Sequence, residues 1–353
     1  MSPVAATIRT RWPDSFREER RVKIGVETLT VRTKRTFAIA RGSSDDFERV
    51  ILTLEEGGAT GRGEAAPTGY YEQNAAGIAE ALERVRIQDS WDIEGTLLKN
   101  DFLPPSALSA LDSALHDLAA RRLGVPVYRL LGLARPEPTS AYTLSIADRE
   151  TTLREAEKLS GFPVLKMKMG GGKDLATVRA VAGASDAALW VDANEAFSPE
   201  EAPGVARELK ELGAVRLIEQ PVPASVGPGA LRGITKAAKP VPVVADESAV
   251  GAWDIPRLVG CVSGVNVKLA KCGGLRRALE MIHVARAHGM LVMFGCMVET
   301  SLGIAAAAQI SGLVDFVDLD GAMLLADDPF EGLGYEKGRI FLPREPGLGV
   351  EPL

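Results

Sequence analysis

The sequence predicts an α/β protein in which a (β/α) barrel follows a smaller α+β domain. From about residue 138 onward, eight short apolar segments alternate with amphipathic helical segments, as in a parallel sheet with helical crossovers. Eight strand–helix units are the number that closes a barrel. Before residue 138, alternating β-branched segments precede one long helical stripe, which is typical of antiparallel strands packed on a helix.

The α+β part starts with two alternating apolar segments, residues 22–27 and 50–54, which predict antiparallel strands. Residues 33–44 between them are rich in Arg, Ser and Gly, so we expect a polar loop there. Residues 106–122 carry leucines on one helical stripe, and Gly124 follows, so we expect a helix that ends at this glycine.

These patterns divide the chain into four parts. We expect an N-terminal arm (residues 1–20), the α+β domain (21–135), the barrel (136–330) and a C-terminal segment (331–353) that returns to the α+β domain. The predicted barrel strands are residues 140–144, 164–168, 188–192, 215–219, 243–246, 264–268, 291–295 and 316–319.

The composition excludes several classes of function. The 47 acidic and 41 basic residues give a net charge of -6 without a long basic block, which argues against nucleic acid as a partner. Cys261, Cys272 and Cys296 are scattered, so we expect no disulfide framework and a reducing cytoplasm. No run of about 18 apolar residues occurs, so we expect neither export nor membrane insertion. A homo-oligomer stays open.

Charged residues end five successive predicted strands, the second to the sixth. They are Lys168, Asp192, Glu219, Asp246 and Lys268. Barrel enzymes build their sites at the C-terminal ends of the strands, so these side chains are expected to meet at one mouth of the barrel.

Three of these residues are carboxylates on adjacent strands, and they would repel each other strongly without a cation. Asp192, Glu219 and Asp246 offer only oxygen ligands, which favours Mg²⁺ as the cofactor, with Mn²⁺ as an alternative. Asn194 and Glu247 are candidates to support these ligands, although ordinary loop hydrogen bonds would also explain them.

Lysines supply the candidate acid and base groups. Lys166 and Lys168 are two residues apart on one strand, so both side chains point into the barrel if Asp192 does. We expect paired ammonium groups near a cation to lower one another's pKa and so yield a neutral amine. Lys268 ends a strand roughly opposite, and two opposed bases suit a 1,1-proton transfer at the weakly acidic α-carbon of a carboxylate.

Several motifs extend this interpretation over about residue 21 to the C-terminus. They are Gly63-Glu64-Ala65-Ala66-Pro67, Lys166-Met167-Lys168, Asp192-Ala193-Asn194, Ile218-Glu219-Gln220-Pro221, Ala245-Asp246-Glu247-Ser248 and Asn266-Val267-Lys268 with Gly273-Gly274. With them the chain resembles the muconate-lactonizing-enzyme subgroup of the enolase superfamily. The resemblance implies a modified (β/α)7β TIM-type barrel with an N-terminal α+β capping domain. It also implies that Lys168 and Lys268 are the acid/base pair and that Lys166 assists.

Asp318-Leu319-Asp320 at the eighth strand resembles the motif with which dipeptide epimerases of that subgroup hold the substrate ammonium. An anionic pair in a pocket requires a cationic ligand group. The resemblance therefore implies a Mg²⁺-dependent dipeptide epimerase that converts an L,L-dipeptide to its L,D form, with Ala-Glu as a candidate substrate. Arg41 would either pair with a distal substrate carboxylate or lie on the surface. Thr143 and Glu299 are also expected to contact substrate.

Other activities share the lysines and the metal site. They are those of o-succinylbenzoate synthase, N-acylamino acid racemase and muconate cycloisomerase, whose substrates lack a free ammonium group. Asp318 and Asp320 argue against these three. A catalytically silent barrel that only binds a ligand is the alternative outside the enzymes, and the presence of Lys168 and Lys268 argues against it.

Overall fold

The computed structural model describes residues 22–353, so the predicted N-terminal arm lies outside the described residues. An antiparallel sheet comes first, in the order β1 (Lys23–Ile39), β2 (Gly42–Glu56) and β3 (Ala59–Ala65). The helices that follow it are α1 (Ala75–Glu83), α2 (Ile93–Lys99), α3 (Pro105–Leu123) and α4 (Val127–Leu130). The helix predicted at residues 106–122 is thus confirmed as α3.

Eight parallel strands alternate with helices in the second part. The strands are β4 (Tyr142–Leu144), β5 (Val164–Lys168), β6 (Ala188–Asp192), β7 (Val215–Glu219), β8 (Val243–Ala245), β9 (Gly264–Val267), β10 (Leu291–Gly295) and β11 (Phe316–Asp318). The helices are α5 (Arg149–Lys158), α6 (Leu175–Ala184), α7 (Ala202–Glu211), α8 (Pro228–Ala238), α9 (Ile255–Leu258), α10 (Leu269–Cys272), α11 (Leu275–Ala287) and α12 (Ser301–Ala308). All eight predicted barrel strands are confirmed within two residues at each end.

Shorter elements complete the chain. The 3-10 helices are Gly69–Tyr71, Gly172–Asp174, Ala224–Val226, Ala252–Asp254, Ser311–Leu313 and Gly321–Leu324. The C-terminal strands are β12 (Phe330–Glu331), β13 (Gly334–Glu336), β14 (Arg339–Phe341) and β15 (Glu351–Pro352). Glu351 at the end of the chain forms ion pairs with Arg62 on β3 and Arg121 on α3, so the C-terminal segment contacts the first part of the fold.

The parallel strands form a barrel in chain order. They hydrogen bond from β4 through to β11, and the Ala141 N–H donates to the Val317 carbonyl at 2.9 Å, which joins the first strand to the last. In a strand, a side chain two positions before the charged residue at the end points in the same direction as that residue. Trp190, Leu217 and Val244 accordingly form a buried apolar cluster within the barrel, beneath the charged groups.

Strand β3 packs closely against α3 because glycine occupies two of its positions. A Cβ atom on Gly61 would lie 2.3 Å from the Ala114 carbonyl oxygen, and one on Gly63 would lie 2.0 Å from that of Ala110. Both distances are far inside van der Waals contact, so any side chain there would force the strand away from the helix. Gly63, the glycine of the Gly-Glu-Ala-Ala-Pro motif, therefore allows the sheet to pack closely on α3.

The predicted polar loop at residues 33–44 is wrong. Strand β1 continues to Ile39 and β2 starts at Gly42, so only a two-residue turn separates them, with an irregular register between Arg32 and Phe37. The polar composition misled the prediction because Val31 and Thr33 are buried whereas the residues next to them are exposed, as in a half-buried strand. Nowhere in residues 22–353 does a helix combine the length and apolarity needed to cross a membrane.

Candidate active site

A layer of charged side chains crosses the C-terminal mouth of the barrel. We call it the charged layer, and its members are Lys166, Lys168, Asp192, Glu219, Asp246 and Lys268. Strand register sets part of it directly, because Lys168 pairs with Asp192 across β5 and β6, and Asp192 pairs with Glu219 across β6 and β7. All six side chains are at least nine-tenths buried.

Lys166 lies at the centre of the charged layer. Its Nζ atom is 3.0 Å from Asp192 Oδ2, 2.7 Å from Glu219 Oε2 and 2.6 Å from Asp318 Oδ2. Lys168 contacts the same carboxylate of Asp192, at 2.6 Å. Two lysines from one strand therefore connect the carboxylates of β6, β7 and β11.

Lys268 and Lys271 pair with the remaining carboxylate of the layer. Lys268 Nζ lies 2.8 Å from Asp246 Oδ2, and the buried Lys271 ammonium donates to Asp246 Oδ1. Lys271 also donates to the Asp246, Asn266 and Ala249 carbonyl oxygens at 2.7, 2.8 and 3.1 Å. Sequence reasoning missed Lys271, although its position three residues after Lys268 at a helix start was a usable signal.

The carboxylates around Lys166 and Lys268 raise the pKa of both lysines, and the expected lowering of a lysine pKa beside a cation stays a prediction. Burial favours the neutral amine of Lys268, yet the Asp246 charge outweighs burial and raises the pKa above its ordinary range. Burial and the Asp192 charge compete in the same way at Lys166, and its pKa is raised well above the usual value. The Lys166 and Lys268 ammonium groups lie beside carboxylates, which favour their protonated forms.

The same ion pairs shift the pKa values of the carboxylates. Burial opposes ionisation of Asp192, but the Lys166 and Lys168 ammonium groups hold its pKa below the usual range. Burial also opposes ionisation of Asp246, and Lys268 outweighs it, so the pKa is again lowered. Glu219 differs, because burial, followed by the charge of Asp192, raises its pKa to about 7.

The donor set fits a hard divalent cation in its chemistry. Asp192, Glu219 and Asp246 supply only oxygens from three adjacent strands, and Glu219 Oε2 approaches Lys166 without the geometry of a hydrogen bond, so this buried oxygen lacks a donor. Within residues 22–353, no three acidic, His or Cys side chains already surround one point as metal ligands. The lysine ammonium groups lie between the carboxylates instead.

Backbone and amide groups hold the carboxylates in place. The Gln220 side chain accepts the Asp246 N–H at 2.9 Å and donates to the Val222 carbonyl at 2.8 Å, while Asn266 Nδ2 donates to Glu219 Oε1 at 2.6 Å. Gln220 has a φ of 32°, in the left-handed region that costs energy for residues other than glycine. The sequence motifs contain both amides, but spacing alone assigned them no role.

Asn194 and Glu247, predicted to support the metal ligands, occupy different environments. The Asn194 backbone N–H donates to Asp192 Oδ1 at 3.0 Å, whereas its own side-chain oxygen is buried without a hydrogen bond. Glu247 Oε1 instead accepts from Arg41 Nη2 at 2.7 Å. Arg41, in the turn between β1 and β2, therefore reaches over the barrel mouth, with its guanidinium 4.5 Å from the Tyr70 ring centre.

Asp318, which ends β11, and Asp320, which follows it, lie next to each other at the mouth of the barrel. Asp318 Oδ2 accepts from Lys166, and its other carboxylate oxygen has no hydrogen-bond partner. Asp320 Oδ2 accepts the Thr143 N–H at 2.6 Å. Burial, followed by the charge of Asp318, raises the pKa of Asp320 to about 7. Asp318 thus retains one buried carboxylate oxygen that could still accept a hydrogen bond.

A cavity of about 460 Å³ joins these groups to the first part of the fold. The predicted site residues that line it are Lys166, Lys168, Lys268, Asp246, Asp318, Asp320, Thr143, Asn194, Glu247 and Arg41. Asp192 and Glu219 lie beneath the lysines. Tyr70 and Tyr71, from the 3-10 helix after β3, also line the cavity and were missed because no spacing pattern links that helix to the barrel.

Glu299, expected to contact substrate, does not line this cavity. Its Oε1 accepts the Met297 N–H at 2.8 Å, and it lies near Glu64. Burial, followed by the charge of Glu299, raises the pKa of Glu64 to about 8. Glu64 also lies 3.7 Å from the buried Arg49 and accepts the Thr300 N–H at 3.1 Å, so this cluster connects β2 and β3 to α12.

Two family descriptions match the two parts of the chain. Residues 23–132 match the mandelate racemase / muconate lactonizing enzyme N-terminal domain. Residues 150–353 match the enolase C-terminal domain-like family.

Individual relatives match over nearly the full chain. The L-Ala-D/L-amino acid epimerase of Maribacter sp. is 36% identical over 93% of this chain and 99% of its own length. The L-Ala-D/L-Glu epimerase of Bacteroides thetaiotaomicron is 35% identical over 91% of this chain and 85% of its own length. The dipeptide epimerase of Enterococcus faecalis, solved with Mg and the dipeptide L-Leu-L-Tyr, superposes with a TM-score of 0.87 at 30% identity, covering 93% of this chain and 98% of that one.

Proposed function

Since this chain belongs to the mandelate racemase / muconate lactonizing enzyme family of enolase-like proteins, we propose that it is a Mg²⁺-dependent dipeptide epimerase. It is an isomerase that inverts one α-carbon and converts an L,L-dipeptide to its L,D form. The observation that carries the proposal is the placement of Lys168 and Lys268 around one cavity that also contains Asp318 and Asp320.

The strand order supports two bases on opposite faces of the substrate. Lys168 ends β5 and Lys268 follows β9, and three strands separate β5 from β9 in either direction around the barrel. An α-carbon between the two amines would lose its proton to one lysine and regain a proton from the other on the opposite face. Lys166, which contacts three carboxylates, assists by holding them in position.

Asp192, Glu219 and Asp246 would hold the metal ion. When bound, Mg²⁺ supplies positive charge that neutralises these carboxylates and stabilises the negative charge left on the substrate carboxylate by proton loss. Carboxylates that are neutralised in this way no longer raise the pKa of Lys268, which can then act as a neutral base.

Asp318 and Asp320 would bind the N-terminal ammonium of the dipeptide. An ammonium group buried without a partner costs several kcal/mol, and the two aspartates that line the cavity are carboxylate acceptors for it. The substrates of o-succinylbenzoate synthase, N-acylamino acid racemase and muconate cycloisomerase carry no free ammonium, so this carboxylate pair favours a dipeptide over them. Thr143, whose N–H fixes Asp320, supports the same subsite.

A screen of dipeptides in D₂O tests the proposal. Epimerisation replaces the α-proton with deuterium, so each substrate should gain one mass unit per exchanged site in the presence of Mg²⁺, and chelation should abolish the gain. A matched screen of N-acetylated dipeptides should give much less exchange. Exchange that persists in the metal-free protein, or a preference for the acetylated series, would contradict the proposal.

We infer a cytoplasmic location for the enzyme. The support is chemical, because Cys261, Cys272 and Cys296 are all free thiols, as is usual in a reducing compartment.

A further inference from the structure

We propose that the N-terminal residue of the substrate carries a bulky apolar side chain, because the cavity wall beside Asp318 and Asp320 is apolar. This inference rests on the proposed function, since it takes the two aspartates as the binding site of the substrate ammonium. The side chain attached next to that ammonium must then lie against whatever surrounds the two aspartates.

The pairing of β10 with β11 shows which residues form the wall beside the aspartates. Gly295 at the end of β10 pairs with Asp318 at the end of β11, so the residues that follow β10 lie beside the aspartates. Met297 and Val298 lie two and three residues after the end of β10, and Leu324 ends the 3-10 helix that begins after Asp320. All three line the cavity, and their side chains offer no charge or strong hydrogen-bonding group.

The hairpin of β1 and β2 supplies the opposite side of the wall. Phe37 and Phe47 line the cavity with their rings 6.1 Å apart in an edge-to-face arrangement. Both pack against a buried cluster that contains Val298 and Leu325. We call Phe37, Phe47, Met297, Val298 and Leu324 the apolar wall. Burial against such a surface would stabilise a bound large aliphatic or aromatic side chain.

Neither arginine that lines the cavity can attract an acidic side chain to this wall. Arg49 is buried, donates to the Val298 carbonyl at 2.6 Å and lies 3.7 Å from Glu64. Arg41 is held by Glu247 at 2.7 Å and by Glu195 at 3.1 Å. Both guanidinium groups are therefore already engaged by acceptors of the protein, and a carboxylate on the first residue would be buried without a free guanidinium partner.

Phe37 also sets the depth of this subsite. A neighbouring cavity of about 570 Å³ lies between the hairpin and the β4–α5 region, and Phe37, Thr143 and Leu324 line both cavities. The Phe37 ring thus forms part of the partition between them. Removing the ring would open the subsite toward the second cavity, so the preferred size of the first residue should increase.

The test uses a dipeptide series in which the second residue is the same and the first is Ala, Leu, Phe, Glu or Lys. Deuterium incorporation at the second α-carbon gives kcat/KM for each member with Mg²⁺ present. Leu and Phe dipeptides should exceed the Glu and Lys dipeptides by at least about tenfold, which corresponds to about 1.4 kcal/mol. Equal or better turnover of the Glu dipeptide would overturn the inference.

Variants separate this inference from a general defect. Phe37→Ala should shift the Phe-to-Ala ratio of kcat/KM toward Phe by at least about fivefold, and Leu324→Ala gives a second measurement should the first variant fold poorly. Phe102→Ala is the matched control, because Phe102 is exposed and does not line either cavity. Unchanged ratios in both wall variants would also overturn the inference. If no dipeptide in the series or in a wider library exchanges deuterium, the proposed function itself fails.

Discussion

Lys271 neutralises Asp246 from below the charged layer, away from the cavity. The lysine side chain is buried, donates to Asp246 Oδ1 and to the Asp246 carbonyl, and does not line the cavity. Lys268 approaches the other carboxylate oxygen from the cavity side. Asp246 thus has one ammonium partner that can meet substrate and another that is permanently structural.

Replacing the structural partner should destabilise the protein. Lys271→Met would leave Asp246 with one cationic partner and three buried carbonyls without their donor, at a cost of about 3 kcal/mol in the free energy of unfolding. Mg²⁺ should stabilise this variant more than the parent, because the ion restores positive charge beside the carboxylate. Urea unfolding with and without Mg²⁺ measures both effects.

The control for this prediction is Lys236→Met on α8, where the lysine is exposed. It should change the free energy of unfolding by less than about 0.5 kcal/mol, with no difference in the response to Mg²⁺. A Lys271→Met variant as stable as this control would show that Lys271 contributes nothing to holding Asp246.

Much of the barrel could be predicted because the strands are short and apolar and because a charged residue ends or directly follows five successive ones. The residues that end β6 and β7 are Asp192 and Glu219, and the two-residue spacing of Lys166 and Lys168 fixes their common direction. Strand bounds and the inward direction therefore follow from local pattern alone. The extension of β1 and β2 through residues 33–44 could not be predicted in this way, because many residues there face solvent and resemble a loop.

Contacts between residues that are far apart in the chain could not be predicted from the local sequence pattern. Lys166 meets Asp318, which is 152 positions later, and Arg41 meets Glu247, which is 206 positions later. The sign of the lysine pKa shift depends on such partners, since carboxylates raise it and a second ammonium lowers it. Glu299 shows the same limit, because its position in the sequence did not reveal that it does not line the cavity.

The pH dependence of kcat/KM should depend on Asp320. Its pKa is raised to about 7 by burial and then by Asp318, so below this pH the protonated carboxyl cannot compensate the substrate ammonium. Activity should therefore rise with pH up to about 7. The α-amino group of a free peptide loses its proton at about 7.7–8.0, so kcat/KM should fall again above that pH.

Steady-state kinetics across pH 5–10 at saturating Mg²⁺ would show this narrow bell-shaped profile. Asp320→Asn should lower kcat/KM by at least about tenfold and remove the acidic limb near pH 7. Asp327→Asn is a matched control, because Asp327 is exposed and does not line the cavity, so its profile should match the parent. An acidic limb that stays at the same pH in Asp320→Asn would assign that limb to another group.

The two-base proposal makes the sharpest prediction, because the lysines lie on opposite strands of one barrel. Lys168→Ala and Lys268→Ala should each lower epimerisation by at least about 100-fold, the usual contribution of a positioned acid or base. Each variant should still exchange the α-proton of one epimer, since the remaining lysine reaches one face. The decisive measurement is proton NMR in D₂O on the separate L,L and L,D dipeptides with Mg²⁺ present. The two variants should retain exchange on opposite epimers, while Lys236→Ala behaves like the parent. If both variants retained exchange on the same epimer, one residue would serve both faces, and the two-base mechanism would have to be abandoned.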